Sequence, residues 1–101
     1  MKYYVIGDED TVLGFGMVGV EGTTVTSRED AEFAFDGALA DREIGILIIT
    51  ETAADTIREK VDALLFSEQF PLIVEVPDRK GKHPDRPGLR QMVNEAIGIK
   101  L

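Results

Sequence analysis

The sequence predicts an α/β fold, an open four-stranded parallel sheet of strand order 2-1-3-4 with helices on both faces. Four short apolar runs alternate with segments in which apolar residues recur at helical spacing. The third run is apolar at nearly every position, which is typical of a parallel strand buried on both faces. Right-handed crossovers between such strands lead to a doubly wound arrangement. The predicted strands cover residues 3–6, 23–25, 44–49 and 72–76.

Helices are predicted in each connection between these strands. Ser27 and Thr52, each followed by an aspartate three residues later, are typical of helix starts. The segment 11–20 is also predicted to be helical, although each of its glycines lowers helix propensity by about 1 kcal/mol relative to alanine. The stripes that predict the second and third helices are Ala31, Ala34, Phe35, Ala38 and Leu39, then Ala54, Ile57, Val61, Leu64 and Leu65.

Length and charge narrow the possible functions. A chain of 101 residues fits one domain. Its net charge of −8 disfavours nucleic acids and anionic membrane surfaces as partners. The absence of cysteine excludes disulfides, thiolate nucleophiles and sulfur-ligated zinc. The longest apolar stretch, residues 44–49, is far shorter than the roughly 20 residues of a membrane-spanning helix, and no export signal is visible, so we expect a cytoplasmic protein.

Gly14, Gly16 and Gly19 match the G-x-G-x-x-G pattern of dinucleotide-binding folds, but the context of the pattern is different. In those folds the glycines follow the first strand directly, whereas here residues 8–13 intervene and bring three carboxylates toward the expected phosphate position. No acid ends the second strand to hold a ribose. We therefore expect these glycines to permit close helix packing or a turn, and we predict no cofactor-binding residue.

Asp8, Glu9 and Asp10 follow the first strand and allow two interpretations. Receiver domains of response regulators share this architecture and bind magnesium in a similar acidic pocket. Such a pocket also needs an aspartate after the third strand, where this chain has Thr50 and Glu51, and a lysine after a later strand. We favour the interpretation in which these three acids stabilise the N-terminus of the helix that follows. The alternative is a degenerate receiver-like domain that binds a divalent cation at Asp8 and Asp10 and switches a protein partner.

No hydrolytic triad is predicted. Ser27 is typical of a helix cap, Ser67 lies near a helix end, and the single histidine, His83, lies in a linker. One histidine also provides no pair for a metal site. We predict no catalytic and no metal-binding residue.

The C-terminal quarter of the chain differs from the domain of residues 1–76. Residues 77–88 contain three of the four prolines and are typical of an exposed, flexible linker. Its hinge positions are Pro77, Pro84, Pro87 and Gly88. Residues 89–101 contain an amphipathic helix that is too short to be stable in water unless its apolar face docks. It either folds back onto its own domain or docks in a partner's groove through Leu89, Met92, Val93, Ala96 and Ile97.

Phe33 and Phe66 are further candidates for partner contacts. On a helical wheel Phe33 lies opposite the core stripe of its helix, and Phe66 lies opposite Ile57. Each is either exposed at an interface or packed sideways against a neighbouring helix or under a loop.

Several segments together match a known family. They are IGDEDTV at 6–12 with GF at 14–15 and GV at 19–20, then IITE at 48–51, VEVP at 74–77 and the ending VNEAIG at 93–98. With these segments, nearly the whole chain resembles the F subunit of the V/A-type rotary ATPases and ATP synthases. Gly16 departs from the family pattern, in which a basic residue is common, so the resemblance assigns no contact to that side chain.

The resemblance implies a flavodoxin-like, that is Rossmann-like, domain and a non-catalytic subunit of the central rotor stalk. In that family the domain binds the coiled-coil stalk protein, called the D subunit, and a tethered C-terminal helix extends toward the catalytic A/B-type subunits. The resemblance also implies a position peripheral to the membrane, in the soluble sector of a proton- or sodium-translocating complex. Movement of the helix is associated there with regulation of ATP hydrolysis.

Overall fold

The computed structural model describes residues 1–67 and 69–78, and within them it shows the predicted sheet. The strands are parallel and lie in the order β2-β1-β3-β4, which confirms the predicted fold class and strand order. The elements are β1 (Lys2–Gly7), α1 (Glu9–Gly16), β2 (Glu21–Thr24), α2 (Arg28–Ala40), β3 (Ile44–Thr50), α3 (Glu51–Thr56), α4 (Arg58–Ser67) and β4 (Leu72–Val76).

The core lies on one face of the sheet. Ile6 and Ile49 pair in register across β1 and β3, and both are fully buried there under α2, α3 and α4. α1 packs instead on β1 and β2, with Val12 close to Val5 and Gly22 on the opposite face. Among the described residues, helices therefore cover both faces, as predicted, but three lie on one face and one lies on the other. The helical residues buried in the core are Ala31, Ala34, Phe35, Ala38, Ala53, Ala54 and Val61.

The boundaries predicted for the first helix were wrong. α1 begins at Glu9 because Asp8 caps it, and it ends at Gly16 rather than continuing to residue 20. Gly19 then has φ +90°, a left-handed conformation that favours glycine, in the turn before β2. A Cβ at Gly14 would meet open space, so close helix packing was the wrong explanation for that glycine and a turn is the right one for Gly19.

The third predicted helix is two helices. Its start is capped by Thr50, whose Oγ1 accepts a hydrogen bond from Ala53 N at 3.3 Å, and not by Thr52 as predicted. The helix then breaks at Ile57, which has φ −129° and ψ 39° and stays buried in the core. The apolar stripe continues through this break, so periodicity alone did not reveal it. Ser27 is the cap of α2, as predicted.

The predicted linker and terminal helix fall almost entirely outside the described residues. Pro77 is described and exposed, directly after β4. The hinge positions Pro84, Pro87 and Gly88 and His83 lie outside. So do the predicted docking residues Leu89, Met92, Val93, Ala96 and Ile97.

Candidate functional site

A cleft of about 580 Å³ lies at the carboxyl ends of the strands. It is next to the boundary between β1 and β3, where the chain reverses its direction across the sheet, and doubly wound proteins commonly bind ligands at this point. The lining residues come from all four strand ends: Asp8, Glu9, Asp10, Val25, Thr26, Ser27, Thr50, Thr52, Ala53, Thr56 and Asp78. The acidic cluster noted in the sequence therefore lies in the cleft.

Both carboxylate oxygens of Asp8 bind the first turn of α1. Its Oδ2 accepts a hydrogen bond from Thr11 N at 3.0 Å, and its Oδ1 accepts one from Thr11 Oγ1 at 2.6 Å. Partial burial opposes ionisation of Asp8, but these hydrogen bonds outweigh it and hold the pKa of the carboxyl below its ordinary value. With Glu9 and Asp10 in the first turn, this arrangement agrees with the favoured interpretation that the acids stabilise a helix N-terminus.

The start of α2 is stabilised in a similar way. Ser27 Oγ accepts a hydrogen bond from Asp30 N at 3.1 Å. Asp30 Oδ2 in turn accepts hydrogen bonds from Thr26 N at 3.2 Å and from Thr26 Oγ1 at 3.0 Å. On the other side of the cleft, Thr52 Oγ1 donates to Asp78. The polar groups that line the cleft thus make many of their hydrogen bonds within the domain.

The receiver-like alternative would need metal ligands that converge in this cleft. Within residues 1–67 and 69–78, no group of three or more histidine, aspartate and glutamate side chains could hold a metal ion. Thr50, which occupies the place of the aspartate after the third strand, caps α3. The described residues therefore do not assemble the magnesium pocket of that alternative.

Phe33 and Phe66 are both exposed, with 85% and 84% of their surface accessible. Of the two placements considered for each ring, exposure is therefore confirmed. They lie on different helices, Phe33 on α2 and Phe66 on α4. Their proposed role in partner contacts remains a prediction.

Sequence reasoning missed a group of exposed apolar side chains on the sheet itself. Tyr3, Leu72 and Val74 belong to β1 and β4, and each has about half of its surface accessible. The alternation of faces along 72–76 was the available signal, but it does not say which face a helix covers.

Comparison with known proteins identifies the family. The model of the family described as ATP synthase (F/14-kDa) subunit matches residues 4–96. The chain belongs to this family. The A-type ATP synthase F subunit of Methanothermobacter thermautotrophicus is 34% identical to it over 99 residues, which cover 96% of this chain and 92% of the relative. That of Thermococcus kodakarensis is 35% identical over 106 residues, which cover 100% of this chain and 98% of the relative.

A solved structure supports the same assignment for this F subunit. The V-type ATP synthase F subunit from Archaeoglobus fulgidus superposes with a TM-score of 0.61 and 25% identity, and the match covers 74% of this chain and 95% of that chain. The resemblance to the F subunits of V/A-type ATP synthases is thereby confirmed, together with the Rossmann-like fold. As a component of such a complex, the chain has partner subunits. In the described part of this F subunit, no helix has the length and apolar character needed to cross a membrane.

Proposed function

We propose that this F subunit is a non-catalytic rotor subunit of the central stalk of a V/A-type proton- or sodium-translocating ATPase or ATP synthase. Its α/β domain binds the coiled-coil stalk protein, the D subunit. The C-terminal segment contacts the catalytic A/B-type subunits and couples or regulates ATP hydrolysis and synthesis. The observation that carries this proposal is the family match over residues 4–96, which includes every residue of the predicted apolar stripe except Ile97.

The geometry of the domain is consistent with a role in protein contacts. Of the acids that line the cleft, Asp8 caps α1, Glu9 and Asp10 lie in the first turn of that helix, and Asp78 accepts a hydrogen bond from Thr52. Large apolar side chains such as Phe33 and Phe66 are exposed, and such side chains favour contacts with other proteins when they group into patches. The proposed position is peripheral to the membrane, on the cytoplasmic side, as part of the complex.

A native pull-down tests this proposal with the full chain and a stripe variant, Val93→Asp with Ile97→Asp. The matched control is Gln91→Asp with Asn94→Asp, which adds the same charge outside the stripe. We expect the wild type and the control to recover the stalk and catalytic subunits. The stripe variant should keep the stalk subunit and lose the catalytic ones, and should change ATPase activity in the reconstituted complex.

Two results would contradict the proposal. Recovery of none of these subunits by the wild-type chain would remove the assignment to the rotor stalk. Unchanged assembly and unchanged ATPase coupling in the stripe variant would remove the C-terminal segment from the mechanism. In the first case, a magnesium titration followed by NMR at Asp8 and Asp10 would test the divalent-cation alternative.

A further inference from the structure

The cleft at the carboxyl ends of the strands has a concentrated negative charge. The described residues that line it include no lysine, arginine or histidine, and they include four carboxylates, Asp8, Glu9, Asp10 and Asp78. The hydrogen bonds that Asp8 and Asp78 accept within the domain leave their negative charge in place. A cleft with this lining attracts cationic groups.

More than half of the basic residues of the chain come after this cleft in the sequence. The described residues contain five of the 11 Lys and Arg but 16 of the 19 Asp and Glu. We call residues 79–86 the basic segment, because it contains one acid, Asp85, and four basic residues, Arg79, Lys80, Lys82 and Arg86. Its charge is opposite in sign to that of the cleft and of the domain, so the two are electrostatically complementary.

The basic segment begins at the rim of the cleft. Asp78, the residue before it, lines the cleft after β4, and Ser27 lines the opposite side after β2. β4 and β2 are the outer strands of the sheet, and three inter-strand spacings separate them by about 15 Å. An extended chain advances about 3.3–3.6 Å per residue, so the residues from Asp78 to His83 are sufficient to cross this distance.

The predicted terminal helix is a poorer occupant of the cleft. Residues 89–101 contain two basic residues and one acid, so their charge is less complementary to the cleft than that of the basic segment. Their apolar stripe also needs an apolar groove. The cleft offers mainly carboxylates and hydroxyls, with Val25 and Ala53 as its apolar lining residues.

Attachment to β4 strengthens the match between the basic segment and the cleft. Single ion pairs at a protein surface contribute little. Four cations on one short stretch of chain act together, however, and the tether keeps them at a high effective concentration beside the cleft. The charges of the cleft and of the basic segment therefore favour contact within one chain.

We propose that the basic segment lies across the cleft, with Lys80 and Lys82 toward the carboxylates of Glu9 and Asp10. The terminal helix then pivots about Pro87 and Gly88, next to its own start, and not about Pro77 at the end of β4. The cleft thus limits how far the helix can move from the domain. This inference needs no partner subunit, so it can fail without affecting the proposed function.

A spin label near the far end of the contact tests the proposal in the free full-length chain. Because the chain has no cysteine, His83→Cys provides a single labelling site. At about 0.01 M salt, where the Debye length is about 30 Å, the amide signals of Thr26 and Ser27 should lose most of their intensity relative to the reduced label. At about 1 M salt, where that length is about 3 Å, the intensity should return. The signals of Glu43 and Leu72, at the amino ends of β3 and β4, should be less affected at either salt concentration.

Charge reversal provides the control for this experiment. In the labelled chain at low salt, Lys80→Glu with Lys82→Glu should restore the signals of Thr26 and Ser27. Arg90→Glu with Lys100→Glu changes the net charge by the same amount beyond the basic segment, and should leave these signals broadened. Intact signals in the labelled wild type at low salt, or equal recovery in both variants, would overturn the proposal.

Two other occupants of the cleft give different results. A label at Asn94→Cys reports on the terminal helix, and we expect it to weaken the signals of Thr26 and Ser27 less than the label at position 83 does. A stronger effect from position 94 would show that the terminal helix occupies the cleft, and would overturn the proposal. Signals that stay intact in the free labelled chain and change only when the stalk subunit is added would assign the cleft to that partner, with the same consequence.

Discussion

The guanidinium of Arg58 binds both carboxylate oxygens of Glu75. Arg58 Nη1 donates to Glu75 Oε2 at 2.7 Å, and Nη2 donates to Oε1 at 3.0 Å. The hydrogen bonds to Glu75 are the main cause of the raised pKa of Arg58, and Asp55 adds to it. Arg58 is the first residue of α4, and Glu75 belongs to β4, which pairs with β3 at the end of the strand order. The pair therefore joins the break between α3 and α4 to the edge of the sheet.

Separating this pair should cost more than separating an exposed one. We expect a double-mutant cycle with Arg58→Gln and Glu75→Gln to give a coupling energy of about 1–2 kcal/mol, because the bonds are bidentate and partly buried. Arg28 and Glu32, an exposed pair on α2, should give about 0.3–0.5 kcal/mol. Urea unfolding of the single and double variants measures both. A coupling energy for Arg58 and Glu75 no larger than that of the exposed pair would contradict the expectation that the partly buried pair stabilises the fold more strongly.

The cap at Asp8 predicts a pH dependence of stability. Asp8→Ala should lower the free energy of unfolding by about 1 kcal/mol at neutral pH, since Thr11 N loses its acceptor. The pKa of Asp8 in the fold lies below its ordinary value of 3.8. The contribution of ionised Asp8 to the free energy of unfolding is therefore fully present above the ordinary pKa and is lost as the pH falls through the lower pKa of the folded state.

The measurement is the free energy of unfolding of wild type and variant from neutral to acidic pH. The difference between them should narrow below about pH 4. Asp8→Asn keeps an acceptor without a titrating group, so the difference in unfolding free energy between Asp8→Asn and Asp8→Ala should stay constant over the same pH range. A difference between wild type and Asp8→Ala that stays constant into acid would contradict ionisation of Asp8 as the cause.

Substitution by alanine should change the free energy of unfolding in opposite directions at two glycines. A Cβ at Gly22 would overlap the Val5 side chain and lie 2.6 Å from the Val5 carbonyl oxygen, so β2 would have to move. We expect Gly22→Ala to cost about 1–3 kcal/mol. Gly14 lies inside α1 with open space around the added atom, and Gly14→Ala should gain about 0.5–1 kcal/mol. Thermal and urea unfolding measure both, and destabilisation by Gly14→Ala would show an unrecognised contact there.

The start of α3 gives a further comparison between two threonines. Thr50→Val keeps the volume of a buried side chain but removes the acceptor for Ala53 N, so we expect a loss of about 1 kcal/mol. Thr52→Val removes an exposed hydrogen bond to Asp78 and should cost less than about 0.5 kcal/mol. Equal losses in urea unfolding would indicate that Thr50 does not cap the helix.

Local features of this chain were predictable because their causes are local. The run from Ile44 to Ile49 has no polar side chain, so it predicts a strand buried on both faces, and Ser27 lies immediately before an amphipathic helix. The start of α3 was harder to predict from the sequence. Thr50 and Thr52 both suit a helix cap, and the choice between them depends on where β3 ends. The break at Ile57 was hidden for a different reason, because Ile57 remains in the apolar stripe on both sides of it.

The sequence by itself determined the order of strands and helices, the acidic character of the chain and its resemblance to the F subunit family, since these depend on residue types and their spacing. Only the tertiary structure decided that Leu72 and Val74 are exposed while Glu75 meets Arg58. Alternation predicts that neighbouring residues of β4 lie on opposite faces. Which face is covered depends on where helices distant in sequence pack, and that is a long-range property of the fold.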